Sequence, residues 1–191
     1  MNNISGYSPC WFLTSVLRNH IHEMTNRYAC LRALRVDLFY KRNTARFQQT
    51  DYRQLEYEVR LLMQETMKQK AVVGYFWVIE WTRAHGWHAH VVFWLDGHIT
   101  QTTWPVAKKV LDIWSTITQK EGGYHRCEYQ EHYLANINLP VYYNVPLSIT
   151  NIQQVLSYLA KEEQKDGFYL FGCNEVPPRP ASGRPRKYPS V

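Results

Sequence analysis

Two histidines separated by one residue have a spacing suited to binding a metal ion. His88 and His90 lie within the apolar run WHAHVVFWL. Because side chains alternate between the faces of a β-strand, both imidazoles point to one face and Ala89 to the other. Two imidazoles so placed can bind one ion, although two half-buried histidines on a sheet would have the same spacing. The apolar run before them, VVGYFWVIEW, contains a single carboxylate, Glu80.

The turn between the two runs decides whether Glu80 shares the face of the histidines. Residues 83–86 read RAHG, and a three-residue turn over residues 84–86, with the glycine in the left-handed conformation, is a common hairpin type. This register pairs Glu80 with His90 on one face. A four-residue turn would instead pair Glu80 with Ala89 and remove the carboxylate from the site.

An odd-length turn makes Glu80, His88 and His90 a site of three ligands with open coordination positions. Open sites are typical of catalytic metals, because water or phosphate oxygens can complete the coordination shell. Mixed nitrogen and oxygen ligands admit Mn²⁺, Mg²⁺ or Zn²⁺. His85, in the turn itself, is either a further ligand or a solvated side chain.

A tyrosine in the C-terminal part of the chain is a candidate nucleophile. Residues 151–164 read NIQQVLSYLAKEEQ, and their apolar spacing predicts a helix with Tyr158 on the flank of its apolar stripe. Lys161, three residues on, lies beside Tyr158, with Gln154 and Lys165 close by. A tyrosine hydroxyl loses its proton only near pH 10, and an adjacent ammonium favours the phenolate. A tyrosine at the edge of the core beside a solvated lysine would give the same pattern.

Strands and helices must alternate to position these residues. Residues 32–41 place Val36 and Leu38 on one face and Arg35 and Asp37 on the other, which predicts a strand with one polar face. Helices are likewise predicted over residues 9–28, 51–70, 103–121 and 151–164, and strands over residues 72–82, 87–95 and 168–173, with one or two more between 124 and 144. The middle elements follow the order of the ferredoxin-like, or split βαβ, arrangement. This α+β fold has an antiparallel sheet with helices packed on one face, which leaves the other face open for a site.

Composition predicts one folded domain over residues 1–176, with residues 1–30 as a helical extension and residues 177–191 as a basic, proline-rich, disordered tail. The net charge of +6 and the 14 Tyr, 7 Trp and 7 Phe suit a polyanion with unpaired bases. A signal peptide and an apolar membrane span are not evident, which favours the cytoplasm. The four cysteines are expected to be free thiols. His20 and His22, on the polar face of the first helix, are expected to be solvated.

In their order, these motifs resemble those of the HUH endonucleases. The resemblance rests on VIEW before the His-Ala-His strand, on the WHAHVVFWLDG strand and turn, on Trp114 in the following helix, and on SYLAKEEQK followed by FGCNE. It covers about residues 32–174. Within this superfamily the chain is most similar to the replication initiation proteins of filamentous phages (inoviruses) and their prophage relatives.

The resemblance implies a rolling-circle replication initiator that nicks single-stranded DNA at an origin. A divalent ion, Mn²⁺ or Mg²⁺, on Glu80, His88 and His90 would polarise the scissile phosphate. Tyr158 would form a 5′-phosphotyrosine link and release a 3′-hydroxyl, and Lys161 would stabilise the phosphate and the phenolate. The basic and amide side chains expected to contact DNA are Arg35, Arg83, Gln154 and Lys165. Asp37 is expected to meet DNA or to support the metal ligands. A host helicase and polymerase are the expected partners of a monomer or weak dimer in a bacterial cytoplasm.

Three other interpretations fit parts of the sequence. A catalytically silent module on the same fold could bind single-stranded nucleic acid through its aromatic side chains. A single-tyrosine HUH transposase would carry the same constellation. A zinc-binding protein could be built on His125, Cys127 and His132, although this spacing is irregular.

Overall fold

The structure is a computed structural model that describes residues 8–162 and 169–180. Within these residues the chain forms four α-helices, one short 3-10 helix and six strands. The helices are α1 (Trp11–Arg27), α2 (Arg53–Met67), α3 (Trp104–Ile117) and α4 (Pro146–Leu156), with the 3-10 helix Ser157–Ala160 directly after α4. The strands are β1 (Cys30–Tyr40), β2 (Val72–Thr82), β3 (Gly86–Asp96), β4 (Gly122–Arg126), β5 (Val141–Tyr142) and β6 (Leu170–Cys173).

The described strands form one antiparallel sheet in the order β4-β1-β3-β2-β6, with the short β5 also paired to β1. The long strands β1, β3 and β2 lie at its centre. The predicted α+β class is confirmed, and β1 to β4 with α2 and α3 follow the predicted order of strand, helix, strand, strand, helix, strand. The sheet therefore brings β1 beside the histidine strand β3, so that Asp37 faces His90.

Both faces of the sheet are covered by helices, so the prediction of helices on one face only is wrong. On one face, α2 and α3 pack on alternate residues of the central strands, including Val36, Trp77 and Val91. On the other face, α1 and α4 cover the intervening residues, including Phe76 and Trp94. The physical reason lies in β2 and β3, whose interiors are apolar at consecutive positions and need an apolar cover on each side. By the same alternation, the predicted metal ligands lie on the α1 and α4 face.

The N-terminal segment pairs with the region that follows α4. The predicted helix start at residue 9 is two residues too early, because α1 begins at Trp11. Pro9 instead forms a β-bridge with Lys161, and backbone hydrogen bonds run from Cys10 N to Ala160 O at 2.8 Å and from Glu162 N to Ser8 O at 2.7 Å. This pairing fixes the chain around Lys161.

The predicted helix over residues 151–164 is wrong at both ends. It begins earlier, at Pro146, since proline is favoured in the first turn of a helix. Its regular α-helical part ends at Leu156, and the 3-10 helix with Tyr158 follows. Lys161 is then extended, with φ −68° and ψ 149°. Tyr158 and Lys161 thus lie on a tight turn and its exit instead of one continuous helix.

His20 is buried, so the expectation that it is solvated is wrong. Its Nε2 accepts a hydrogen bond of 3.1 Å from the indole Nε1 of Trp94, and its ring also lies against Phe76. Burial lowers the pKa of His20 to about 4 from 6.5. A proton on Nε2 would also oppose the indole N–H, which is itself a donor.

Acid is expected to destabilise the protein through His20. Because the folded-state pKa lies below the unfolded one, this stabilisation is present above pH 6.5 and is lost as the pH falls toward about 4. The loss should reach about 3 kcal/mol in the free energy of unfolding. Urea unfolding at about pH 7 and about pH 4.5 would measure it, with His20→Gln as the control that keeps an acceptor but does not titrate. An equal pH dependence in this variant would contradict the assignment.

No helix among the described residues is both long and apolar enough to cross a membrane. Residues 177–180 have no helix or strand. The rest of the tail that was predicted to be disordered, residues 181–191, lies outside the described residues. Lys165, assigned to DNA binding, does as well.

Candidate metal and nucleophile site

The hairpin of β2 and β3 brings the predicted metal ligands onto one face. Its turn consists of residues 83–85, and Gly86 follows with φ 64°, a conformation that favours glycine. In the resulting register Glu80 pairs with His88. The predicted pairing of Glu80 with His90 is therefore wrong by two residues. An even shift keeps every side chain on its face, so Glu80, His88 and His90 do share one.

The three side chains are arranged so that they could hold one metal ion. Each offers a ligand atom, and these atoms lie within 4.8 Å of one another. All three residues are buried, with exposures of 1% for Glu80, 7% for His88 and 4% for His90. The Nε2 atom of His90 lies 2.6 Å from Glu80 Oε1. Two imidazoles and a carboxylate suit a divalent ion that accepts nitrogen and oxygen ligands, so the donor set fits.

Hydrogen bonds orient both imidazoles through their Nδ1 atoms. His88 Nδ1 donates to the backbone oxygen of Gly86 at 3.0 Å, and His90 Nδ1 lies 2.5 Å from Asp37 Oδ1. A proton on Nδ1 leaves the lone pair of Nε2 facing the site, as a metal ligand requires. Burial lowers the pKa of His88, which favours its neutral form. Burial would raise the pKa of Asp37, but the contacts with His90 and Arg35 outweigh it and hold that pKa well below its usual range.

Tyr158 and Lys161 reach this group from the 3-10 helix. Lys161 Nζ donates to the Tyr158 hydroxyl at 2.6 Å and lies 3.2 Å from Glu80 Oε2. The ring of Tyr158 packs on that of His90 at nearly a right angle, with 5.1 Å between the ring centroids. Lys161 is only 2% exposed, so the alternative of a solvated lysine is wrong. One ammonium therefore links the hydroxyl of the candidate nucleophile to a candidate metal ligand.

The contact between Arg35 and Tyr158 was not predicted from the sequence. The guanidinium carbon of Arg35 lies 4.8 Å from the centroid of the Tyr158 ring, and Arg35 also lies 3.6 Å from Asp37 Oδ1. The alternation of β1 placed Arg35 and Asp37 on one face, but nothing in the sequence indicated that Tyr158 packs there. Arg35 is thus placed to hold the tyrosine ring as well as to meet a phosphate.

A cavity of about 740 Å³ opens beside Tyr158. Arg35 and Gln154, both assigned to DNA binding, line it. Arg83 does not line it and lies exposed in the hairpin turn. His85, the possible extra ligand, is also exposed in that turn and lies outside the ligand group. The segment after β4 also lines the cavity, with Tyr129, Gln130, His132, Tyr133 and Leu134.

Removing the Asp37 carboxylate should weaken metal binding at a site that Asp37 does not ligate. Asp37→Ala is expected to raise the dissociation constant for Mn²⁺ by about 10- to 100-fold, because His90 loses the acceptor that fixes its tautomer. Asp37→Asn keeps an acceptor oxygen and should lose less. Free Mn²⁺ measured by electron paramagnetic resonance gives the affinities. Equal affinity in wild type and Asp37→Ala would show that the contact does not orient the ligand.

Comparison with known proteins gives no relative for this chain, since no protein-family model, curated protein or solved structure matches it. The fold and site define an α+β protein with an antiparallel six-stranded sheet in its described residues. They also define a buried group of Glu80, His88 and His90 that could hold a metal ion. The function is therefore inferred from the chemistry of this site.

Proposed function

We propose that the protein is a metal-dependent HUH endonuclease that nicks single-stranded DNA and initiates rolling-circle replication. In the reaction, Tyr158 attacks a DNA phosphate and forms a 5′-phosphotyrosine link. The DNA strand on the other side leaves with a free 3′-hydroxyl, which can prime synthesis.

The observation that carries the proposal is that Lys161 Nζ lies between the hydroxyl of the candidate nucleophile and the carboxylate of a candidate metal ligand. It contacts the Tyr158 hydroxyl at 2.6 Å and Glu80 at 3.2 Å. A tyrosine beside a buried lysine is not by itself a site, and neither is a pair of histidines on a strand. Their meeting at one carboxylate supports phosphoryl transfer, which needs a nucleophile next to stabilised negative charge.

The contacts of each side chain indicate its role in the proposed reaction. Lys161 stabilises the negative charge that develops on the Tyr158 oxygen as its proton leaves to solvent. Arg35 and His90 both contact the tyrosine ring, which limits its rotation away from the phosphate. As the phenolic oxygen bonds to phosphorus, the bond to the 3′-oxygen breaks and that oxygen takes up a proton. One phosphodiester replaces another, so the free 3′-hydroxyl can reverse the reaction.

Glu80, His88 and His90 would hold the divalent ion. When bound, such an ion supplies Lewis-acid polarisation of the scissile phosphate. Asp37 and the Gly86 carbonyl keep the two imidazoles in the tautomer that can bind it. Because Glu80 contacts both Lys161 and His90, the nucleophile and the ligand group are held in one arrangement before DNA binds.

The cavity beside Tyr158 supports single-stranded DNA as the substrate. Cations of Arg35 and Arg126 line it together with the rings of Tyr129 and Tyr133. Cations attract the phosphates of a single strand, and aromatic rings stack on its unpaired bases. The net charge of +6 favours the same polyanion.

The test is the formation of a covalent adduct on single-stranded DNA. The full chain is incubated with circular phage and plasmid single strands and Mn²⁺, and a denaturing gel separates any DNA-linked protein. The expected result is an adduct that needs the ion and whose linked peptide contains Tyr158, together with a 3′ end that a polymerase extends. DNA binding without an adduct on any substrate would favour the catalytically silent module. Joining of the nicked strand to a second DNA end would favour the transposase.

A further inference from the structure

A second group of metal-ligating side chains lies on the neighbouring strand pair. Asp37 on β1 pairs directly with His125 on β4. Cys127 follows two residues later and still pairs with β1, since its backbone N donates to Arg35 O at 3.0 Å. Because positions two apart on a strand share a face, His125 and Cys127 both point to the side of the sheet that carries Asp37.

We propose that Asp37, His125 and Cys127 form a zinc site. Their ligand atoms lie within 4.8 Å of one another. Cys127 Sγ lies 3.7 Å from His125 Nδ1, which lies 4.0 Å from Asp37 Oδ2. A tetrahedral ion with zinc–ligand bonds of about 2.0–2.3 Å spaces its donors by roughly 3.3–3.8 Å. The three donors therefore need only a small approach to surround one ion.

The chemistry of the donors separates this site from the Glu80 group. A thiolate is a soft ligand that zinc accepts and that Mg²⁺ and Mn²⁺ disfavour, whereas the Glu80 group offers only nitrogen and oxygen. The two groups also use different atoms of Asp37. Oδ1 accepts from His90, and Oδ2 is the oxygen nearer to His125. Both sites can thus be filled in the same molecule.

Zinc at this site would fix one wall of the cavity. Residues 127–140 form neither helix nor strand, and most of them line the cavity. A bond from the ion to Cys127 anchors the start of this segment to Asp37. A fourth coordination position is left for water or for a side chain of the segment, of which His132 also lines the cavity. The sequence suggested a zinc site of His125, Cys127 and His132. In the proposed site Asp37 replaces His132 as the third ligand.

Cobalt titration of the full chain tests the proposal, because Co²⁺ occupies zinc sites and a thiolate ligand gives it a charge-transfer band in the near ultraviolet. We expect about two equivalents of bound Co²⁺, one of them with this band. Cys127→Ser and His125→Ala should each lose one equivalent and most of the band. His125 is an exposed side chain, so its replacement leaves the fold intact. Cys173→Ser, which removes an exposed thiol on β6, should change neither.

The outcome of the cobalt titration does not depend on whether the protein nicks DNA, so this proposal and the proposed function can fail separately. His88→Ala should remove the other equivalent and keep the thiolate band, whether or not the protein cuts DNA. Wild-type protein without a thiolate band would overturn the proposal, as would a band that persists in Cys127→Ser. Zinc should also slow proteolysis within residues 127–140 in the wild type and not in Cys127→Ser, and equal protection of both would count against the site.

Discussion

Replacing Tyr158 by phenylalanine is expected to abolish the covalent DNA adduct and to lower nicking by roughly 10⁴-fold or more, as the loss of a nucleophile does in other enzymes. The variant removes one oxygen and keeps the ring that packs on His90 and Arg35. Affinity for single-stranded DNA should therefore stay within about threefold of the wild type, since the groups that line the cavity remain. Gel quantification of the adduct and fluorescence anisotropy of a labelled strand measure the two effects separately.

A matched control comes from the same cavity. Tyr129→Phe removes a hydroxyl from another ring that lines the cavity and keeps the Lys161–Tyr158 hydrogen bond. It should retain the adduct at near wild-type yield. Full adduct formation by Tyr158→Phe would refute the assignment of the nucleophile. An adduct lost equally in both variants would indicate that the two hydroxyls serve DNA binding instead of chemistry.

The sequence favoured an odd-length turn in the hairpin without excluding a turn of four residues, and it did not give the residue pairs of β2 and β3. Any odd-length turn between the two apolar runs puts Glu80 on the face of the histidines, and alternation of side chains does not depend on where the turn begins. Gly86 was expected inside the turn and instead follows it, with φ 64°. Both positions accept a glycine in the left-handed conformation, so local chemistry does not choose between them.

Other features of the site depend on parts of the chain that are distant in sequence. The partner of His90 is Asp37, and this follows from the pairing of β1 with β3. Lys161 was expected on the polar side of a continuous helix, but Pro9 pairs with it and its backbone is extended. A helical projection cannot represent such a change of direction. Burial of the ammonium against Glu80 is its consequence.

The apolar pattern of the central strands indicates helices on both faces of the sheet. Residues 72–79 are apolar on both faces, and such a strand needs cover on each side. The amphipathic spacing of α1 and α4 shows that each has a buried stripe but not which sheet face it packs on. In the structure both helices pack on the face that was expected to be open.

Replacing Lys161 by methionine is expected to destabilise the metal-free protein by about 3–5 kcal/mol, because it removes the ammonium beside a carboxylate that is buried almost completely. Glu80 is 1% exposed and Lys161 2% exposed, so water does not replace the lost charge. Urea unfolding in the presence of a chelator measures the change. The double variant with Glu80→Gln removes both charges and should be destabilised by less than the sum of the single variants.

Metal binding should reverse part of this loss, and that response separates the role of Lys161 in the site from a role in packing. The divalent ion and the ammonium compete for the charge of Glu80, so Lys161→Met should bind Mn²⁺ more tightly than the wild type does. Its stability should accordingly rise more steeply with Mn²⁺ concentration. Nicking should nevertheless fall, because the Tyr158 hydroxyl loses the ammonium that lies 2.6 Å from it. Unchanged or weaker Mn²⁺ affinity in Lys161→Met would contradict the shared use of Glu80 and leave Lys161 with a packing role.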